Sequence, residues 1–310
     1  MTESENKISI LDYMPKNYIY SEKNYDEHFD VVFNKNIDEY EIILSDDFNE
    51  ILTEKRYPEN LYSLIFGRFF NQIIKKNTLP VNLKNLVFGD EFNKGLEPNV
   101  LPQTLVSLTF GKKFNVELKI ESLPASLLYL KFGENYNKDF GEKIIPRSLI
   151  VLEFDQYSRF NKNIKKNILP QSLKKMIFGD IYNHKLKPDR LPSELRYLKF
   201  GKSYDNPIEI NTLPNSVKYL EFGYYYLTPL TNLPDSVEIL CFNRNDNIDW
   251  IFPPTVKKII IKNYKEINAV TVPNTIKEIQ LINYKLNKDF KIAIPDNCVI
   301  INKWGDKINI

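Results

Sequence analysis

Twelve of the 18 prolines recur at a nearly constant spacing along the chain. The first four steps are 22 residues each, the fifth is 24, and the later steps are between 19 and 22. A fixed period of this size is typical of stacked structural repeats, in which each repeat packs on its neighbours. The sequence therefore predicts one repeat array along the 310 residues, not one or two ordinary globular domains. The prolines of this series are Pro58, Pro80, Pro102, Pro124, Pro146, Pro170, Pro192, Pro214, Pro234, Pro253, Pro273 and Pro295.

Apolar residues recur at three fixed distances after these prolines. The third and sixth positions are Leu in most repeats, and the eighth is Phe in the first nine, as in Leu83, Leu86 and Phe88. Positions six and eight are two residues apart, so they point to the same face of a β-strand. A strand this short is not stable alone, whereas stacked copies form a parallel sheet over a continuous core. The predicted fold is a β-rich repeat solenoid of about 12 to 14 coils of about 22 residues each.

Three further repeated positions receive structural interpretations. Glycine at the ninth position, present in seven of the first nine repeats, indicates a positive-φ turn that ends each strand. A short polar side chain at the second position is expected to bond a backbone group at the turn that proline begins. An aromatic–Asn pair, such as Phe92-Asn93, predicts an aromatic spine beside a ladder of buried amides that bond loop carbonyls.

The resulting string, Leu-Pro-x-Ser/Thr-Leu-x-x-Leu-x-Phe-Gly-x-x-Phe/Tyr-Asn over residues 101–115 and 123–137, resembles FNIP repeats. The signature tetrapeptide occurs only in variants such as Phe160-Asn161-Lys162-Asn163-Ile164. This resemblance implies a leucine-rich-repeat-like interaction solenoid without catalytic residues, of a family found in social amoebae and giant viruses. It is strong from Pro58 to about Asn243 and weakens afterwards. Upstream, Phe48-Asn49 and residues 33–37 look like degenerate copies without the proline.

The two ends of the chain differ from its middle. Residues 1–32 are interpreted as an N-terminal cap with an acidic head, and residues 33–310 as the solenoid, regular over 58–243 and degenerate over 244–310. Residues 1–59 carry 15 acidic and 6 basic side chains, a net charge of −9, so the remaining residues carry +11. Opposite charges at the two ends fit either solvated end caps or weak head-to-tail self-association.

Candidate binding residues lie between the core positions of the predicted strands, at the fifth and seventh positions after proline. Aromatic, charged and aliphatic side chains in adjacent rows are typical of protein-binding patches, although Tyr and Ile also favour strands for packing reasons. The sequence predicts a partner-binding surface between Tyr129 and Glu221. Its candidate residues are Tyr129, Lys131, Glu153, Lys175, Ile177, Tyr197, Lys199, Tyr219 and Glu221.

Composition argues against several other functions. The net charge of +2 is low for a nucleic-acid-binding protein, and no apolar run approaches the roughly 18 residues of a membrane helix. Two cysteines fit a reducing intracellular compartment, which predicts the cytoplasm, or the host cytoplasm for a viral protein. His28 and His184 stand outside any metal or nucleophile motif, so neither a metal nor a cofactor is predicted.

The function predicted from these patterns is a non-enzymatic scaffold that binds a protein partner. One alternative is a substrate adaptor of a ubiquitin ligase, since some relatives of the resembled family carry an N-terminal F-box. The head of this chain is short for an F-box of about 40 to 50 helical residues, which favours the cap interpretation. A second alternative, a solenoid enzyme acting on polysaccharide, requires a pair of carboxylates on one exposed face of the sheet.

Overall fold

The computed structural model describes residues 21–22, 29–34, 39–53, 60–243, 252–264, 272–284 and 294–308. These residues contain fifteen strands and fall into two compact units, residues 1–136 with 143–151 and residues 137–142 with 152–310. The strands are β1 (Ser21–Glu22), β2 (Phe29–Asn34), β3 (Glu39–Leu44), β4 (Leu61–Ile65), β5 (Asn85–Val87), β6 (Ser107–Thr109), β7 (Tyr129–Phe132), β8 (Val151–Phe154), β9 (Lys175–Ile177), β10 (Tyr197–Lys199), β11 (Tyr219–Glu221), β12 (Ile239–Phe242), β13 (Lys258–Tyr264), β14 (Glu278–Tyr284) and β15 (Val299–Ile301).

In the first unit, strands that are consecutive in the sequence are neighbours in the sheet. β1, β2 and β3 pair antiparallel, and from β3 to β7 every pairing is parallel. The degenerate repeat proposed at residues 33–37 is therefore not a coil of the parallel sheet, because Phe33 and Asn34 lie in the antiparallel strand β2. Most of the predicted N-terminal cap, residues 1–32, lies outside the described residues.

In the second unit, strands from β9 to β15 pair parallel and in register. Equivalent repeat positions face each other, as Leu198 faces Leu220. β13 and β14 have seven residues each, where the Phe-Gly pair of the earlier repeats is replaced by Ile261-Lys262 and Leu281-Ile282. The free edge of β15 is partly covered by the following turn, since Ile308 N donates to Ile300 O at 2.8 Å. The predicted parallel β-solenoid is confirmed.

Each proline of the series from Pro80 onward begins a tight turn that leads into a core residue. The backbone N–H of the third residue donates to the proline carbonyl, as in Leu105 N to Pro102 O at 3.1 Å. The Ser or Thr of the turn donates to the preceding coil, as in Ser126 Oγ to Leu105 O at 2.6 Å. The short polar residue therefore links two coils, and does not only satisfy its own turn as the sequence interpretation stated.

The core is a stack of equivalent apolar positions, as the repeated positions after proline predicted. The repeated Leu and Phe side chains are buried, and the predicted aromatic spine is present in both units. Two rings stack within each coil from β4 to β11, as Phe88 on Phe92 at 3.9 Å in the first unit and Phe200 on Tyr204 at 3.8 Å in the second. Corresponding rings of successive coils lie 5.5 to 6.3 Å apart, for example Phe66 and Phe88 at 5.5 Å. Phe48 joins this spine beside Phe70, which confirms the degenerate copy at Phe48-Asn49.

The asparagine ladder exists, but its chemistry is the reverse of the prediction. The side-chain oxygen accepts the backbone N–H of the equivalent residue one coil later, as in Asn93 N to Asn71 Oδ1 at 2.9 Å and Asn183 N to Asn161 Oδ1 at 3.0 Å. These amides lie at the surface and are not buried. Asp205 takes the same place and accepts from Leu227 N at 2.8 Å. The position therefore requires an acceptor oxygen and tolerates either side chain.

The prediction of positive φ at the repeated glycines is wrong. Among the described glycines only Gly305 has a positive φ. Positive φ occurs instead three residues before proline, at positions occupied by Asn77, Asn99, Glu121, Lys143, Asn167, Asp189 and Asn211. The repeated glycine serves close stacking, because a Cβ on Gly89 would lie 1.9 Å from the carbonyl oxygen of Gly67 in the preceding coil. At Gly89 the backbones of successive coils approach too closely for a Cβ atom.

Candidate functional site

The two outward rows of the sheet differ between the units. In the first unit the row at the fifth position after proline begins with short polar residues that are buried, and Asn85 Nδ2 donates to Ser63 Oγ at 2.8 Å. Tyr129 lies in the same row and is only 8% exposed, so the expectation that it faces solvent is corrected. Lys131 lies half-exposed on the same unit. This part of the sheet offers little accessible aromatic surface to a partner.

In the second unit, long side chains occupy the outward rows. Parallel register places Lys175, Tyr197, Tyr219 and Ile239 side by side across β9 to β12. All four are half-buried, as are Glu153, Ile177 and Lys199 of the neighbouring row. The structure therefore brings six of the nine predicted residues together as partly accessible side chains of one unit, and Glu221 joins them as a buried residue.

Tyr197 and Tyr219 form a stacked pair, which we call the tyrosine pair. Their ring centroids are 4.3 Å apart and the rings are within 6° of parallel. The Lys175 ammonium lies 4.9 Å from the centroid of the Tyr197 ring, in a cation–π contact. Burial raises the pKa of both phenols far above the ordinary value, so both remain neutral. The pair is a fixed aromatic surface with a polar rim.

Glu221 is 2% exposed and binds three side chains around it. Its Oε1 atom lies 2.6 Å from Lys262 Nζ and 3.3 Å from Lys199 Nζ. Its Oε2 atom accepts a hydrogen bond from Tyr219 Oη at 3.1 Å. A buried carboxylate is tolerated when it is paired and hydrogen-bonded in this way. Glu221 therefore lies beneath the outward side chains and holds the Tyr219 hydroxyl in place.

Lys262 is a functional neighbour that sequence reasoning missed. The sequence contains a basic run with Lys257, Lys258 and Lys262, a pattern typical of solvated outer positions. Lys262 instead lies on β13 and reaches Glu221 on β11, two strands away. The partners are 41 residues apart in a region where the repeat length varies. Lys262 stands at the ninth position after Pro253, where most earlier repeats carry glycine, so the outward rows gave no signal for this pairing.

Cys241 on β12 is the register partner of Glu221 on the adjacent strand β11, and it is fully buried. Burial raises the pKa of its thiol to about 12, and the Glu221 carboxylate adds to this rise. The thiolate is the nucleophilic form of cysteine. Cys241 is therefore held as a neutral thiol.

Alkaline pH is expected to destabilise the folded chain through Cys241. The folded thiol keeps its proton to about pH 12, whereas an unfolded cysteine releases its proton near 8.5, so this stability is present below the unfolded pKa and is lost as the pH rises. The loss from this thiol between about pH 7 and about pH 10 is roughly 2 kcal/mol. Urea unfolding at both pH values should show a smaller loss for Cys241→Ala than for the unchanged chain, and equal losses would contradict the assignment.

The carboxylates of the strand face in the second unit are well separated. Glu153, Glu221 and Glu278 lie on β8, β11 and β14, three strands from one to the next. At a strand spacing of about 4.8 Å the backbones are roughly 14 Å apart, whereas glycosidase carboxylates are about 5 to 10 Å apart. Glu221 and Glu278 are also held by Lys262 and Lys258, each at 2.6 Å. This geometry does not favour a polysaccharide-cleaving enzyme.

The described part of the chain shows no other chemical centre. Within it, no group of three or more His, Cys, Asp or Glu side chains is placed to hold a metal ion. No helix in the same residues is both long and apolar enough to cross a membrane. His28 lies outside the described residues, and His184 is exposed on a loop beside Tyr182. The strand face of the second unit is the remaining candidate.

Comparison with protein families finds the FNIP Repeat model at residues 70–113, 114–157, 142–181, 160–203 and 182–225. Together these matches span residues 70–225, half of the chain. The chain belongs to the FNIP repeat family. Among solved structures, it is similar to CroV588, a giant-virus protein described as a novel circular LRR protein, with 32% identity and a TM-score of 0.71. A search of curated proteins finds no match.

The FNIP repeats contain most of the candidate site. Lys175, Tyr197, Tyr219 and Glu221 fall within the matched residues, whereas Cys241 and Lys262 lie beyond them. The similarity to CroV588 covers 84% of this chain but 39% of CroV588, so the chain spans well under half the length of that protein. The FNIP repeats of this chain are thus leucine-rich-repeat-like coils, and their outward residues distinguish one coil from the next.

Proposed function

We propose that this FNIP-repeat chain is a non-enzymatic scaffold that binds a protein partner on the strand face of its second unit. The observation that carries the proposal is the tyrosine pair, stacked at 4.3 Å and half-exposed beside Lys175 and Lys199. Aromatic residues in a preformed setting, with charged groups around them, supply much of the binding energy of protein interfaces. Repeat scaffolds of the leucine-rich-repeat type are generally used for protein interaction.

Rigidity of the tyrosine pair supports this proposal. Parallel register fixes the two backbones side by side, and the Tyr219 hydroxyl is held by Glu221 at 3.1 Å. A side chain that is already ordered loses less conformational entropy on binding than a mobile one. The pair therefore presents its accessible area to a partner at low ordering cost.

The test is capture of proteins from extracts of the cells in which the chain is naturally made. We expect Tyr197→Ala to lose the captured partner, because it removes half of the tyrosine pair. The control is Tyr225→Ala, which removes a tyrosine that is 56% exposed on a turn of the same unit. Circular dichroism melting of both variants separates loss of binding from loss of folding.

Three outcomes of this experiment decide the proposal. Loss of the partner with Tyr197→Ala alone supports binding at the strand face. Equal capture by Tyr197→Ala and the unchanged chain contradicts it. Loss with Tyr225→Ala alone moves the binding surface to the turns.

A further inference from the structure

The strand face of the second unit presents more cationic than anionic charge to its surroundings. Lys199 and Lys262 share one carboxylate, that of Glu221, which is buried beneath them. Their own side chains remain 35% and 27% exposed. The two lysine side chains are therefore partly accessible while the compensating anion is not.

Lys175 adds a further cation beside this group. Its ammonium lies over the Tyr197 ring, and among the described residues no carboxylate forms a salt bridge with it. Desolvation lowers its pKa; attraction from Glu153 opposes this effect, and repulsion from Lys199 adds to it. An anionic group placed against Lys175 and Lys199 would relieve that repulsion and replace the lost hydration.

The nearby charges do not fill this position, since Glu153 attracts Lys175 without forming a salt bridge with it. Lys258 and Glu278 form their own pair at 2.6 Å, so they contribute no net charge. Ile177 and Ile239 flank the tyrosine pair in the outward rows and are half-buried. The surface thus combines an unfilled anion position with one partly accessible isoleucine on each side of the tyrosine pair.

We propose that the partner is an acidic polypeptide segment whose Asp or Glu carboxylates lie against Lys175 and Lys199, beside the tyrosine pair. This inference rests on the proposed function and names the chemistry of its partner. Apolar residues of the segment pack on Ile177, Ile239 and the tyrosine rings. A binding segment of this kind is acidic and interrupted by aliphatic or aromatic residues.

A single-stranded nucleic acid is the other extended anionic polymer that this surface would attract, and the geometry of the tyrosine rings disfavours it. Single-strand binders stack bases on open aromatic faces. The facing sides of Tyr197 and Tyr219 are 4.3 Å apart, which leaves no room for a base between them. Lys175 lies over the Tyr197 ring as well. The platform is better matched to carboxylates and short apolar side chains.

The test selects binders from a random peptide library displayed on phage, using the full chain as bait. We expect selected peptides to be enriched in Asp and Glu, and their affinity to fall as salt rises. Lys175→Gln and Lys199→Gln should each weaken binding roughly tenfold. After Lys199→Gln, Lys262 still pairs with Glu221, so the buried carboxylate remains compensated. The matched control is Lys202→Gln, since Lys202 pairs with Asp180 on a turn of the same unit.

The outcomes separate this inference from the proposed function. Peptides that depend on Tyr197 but are not acidic would overturn the inference and leave the scaffold function standing. Peptides indifferent to Tyr197→Ala, or no selected peptides at all, would overturn both. Tight binding of single-stranded RNA in a parallel titration, abolished by Lys175→Gln, would replace the acidic segment with a nucleic acid.

Discussion

Gly89→Ala is expected to destabilise the folded chain by about 3 to 5 kcal/mol. The added Cβ would lie 1.9 Å from the carbonyl oxygen of Gly67, and backbone atoms cannot rotate away as a flexible side chain does. Gly111 repeats the arrangement one coil later, with its own Cβ position 2.1 Å from Gly89 O. The methyl group therefore forces two stacked coils apart. Urea unfolding followed by circular dichroism measures the loss.

Gly95 provides the control, since it lies in the same coil and is exposed. A Cβ there would lie 3.8 Å from Val116 Cγ1, which is ordinary contact, and its φ is not positive. Gly95→Ala is expected to be neutral or to stabilise by about 0.5 kcal/mol, because alanine restricts the unfolded chain. If both variants unfolded at the same urea concentration, close stacking would not explain the repeated glycine.

Phe70→Ala is expected to cost about 3 to 5 kcal/mol in the free energy of unfolding. Phe70 is 0% exposed and stacks on Phe66 at 3.9 Å, with Phe48 and Phe92 each at 6.0 Å. Truncation removes a ring that contacts its own coil and both neighbours. The cavity cannot close without shifting the aromatic spine, so the full cost of an unfilled core is expected.

The adjacent residue supplies the matched control for this prediction. Phe69 is 44% exposed, and its ring contacts the Arg68 guanidinium at 5.3 Å. Phe69→Ala is expected to cost less than about 1 kcal/mol, because the lost area is largely solvated and the cation–π contact is weak at an exposed site. Comparable losses from the two variants would mean that the ring stack does not hold the coils together.

The fold was predictable because identical positions stack on each other in a solenoid. A residue at a fixed distance from each proline, such as Leu86, contacts Leu64 and Leu108 in the neighbouring coils. Core residues therefore repeat with the coil. The period, the strands and the aromatic spine can each be predicted from the residues at one repeated position. The same reasoning located the outward rows that contain Lys175, Tyr197 and Tyr219.

The role of glycine was not predictable by this reasoning, since residue type alone does not separate positive φ from close backbone approach. A second repeated position would have indicated where φ is positive. The position three residues before proline is Asn in four repeats and Asp in one, and these residues favour positive φ. Comparing the ninth position after proline with the third position before it would have assigned positive φ to the asparagines and close backbone contact to the glycines.

The exposure of side chains in the outward rows could not be predicted from the sequence either. A strand position predicts direction, but burial depends on the length of the neighbouring side chains. Glu221 lies beneath Lys199 and Lys262, whereas Lys175 reaches over a ring and stays accessible. The pairing with Lys262 spans two strands in the degenerate region, where the irregular repeat length obscures which residues face each other.

The most direct test of binding at the strand face is lysine acetylation, measured by mass spectrometry with and without bound partner. Lys175 and Lys199 report on the strand face, and Lys202 reports on a turn of the same unit. We predict that a bound partner slows acetylation of Lys175 and Lys199 while Lys202 reacts at its original rate. Slower acetylation of Lys202 with unchanged Lys175 and Lys199 would contradict binding at the strand face.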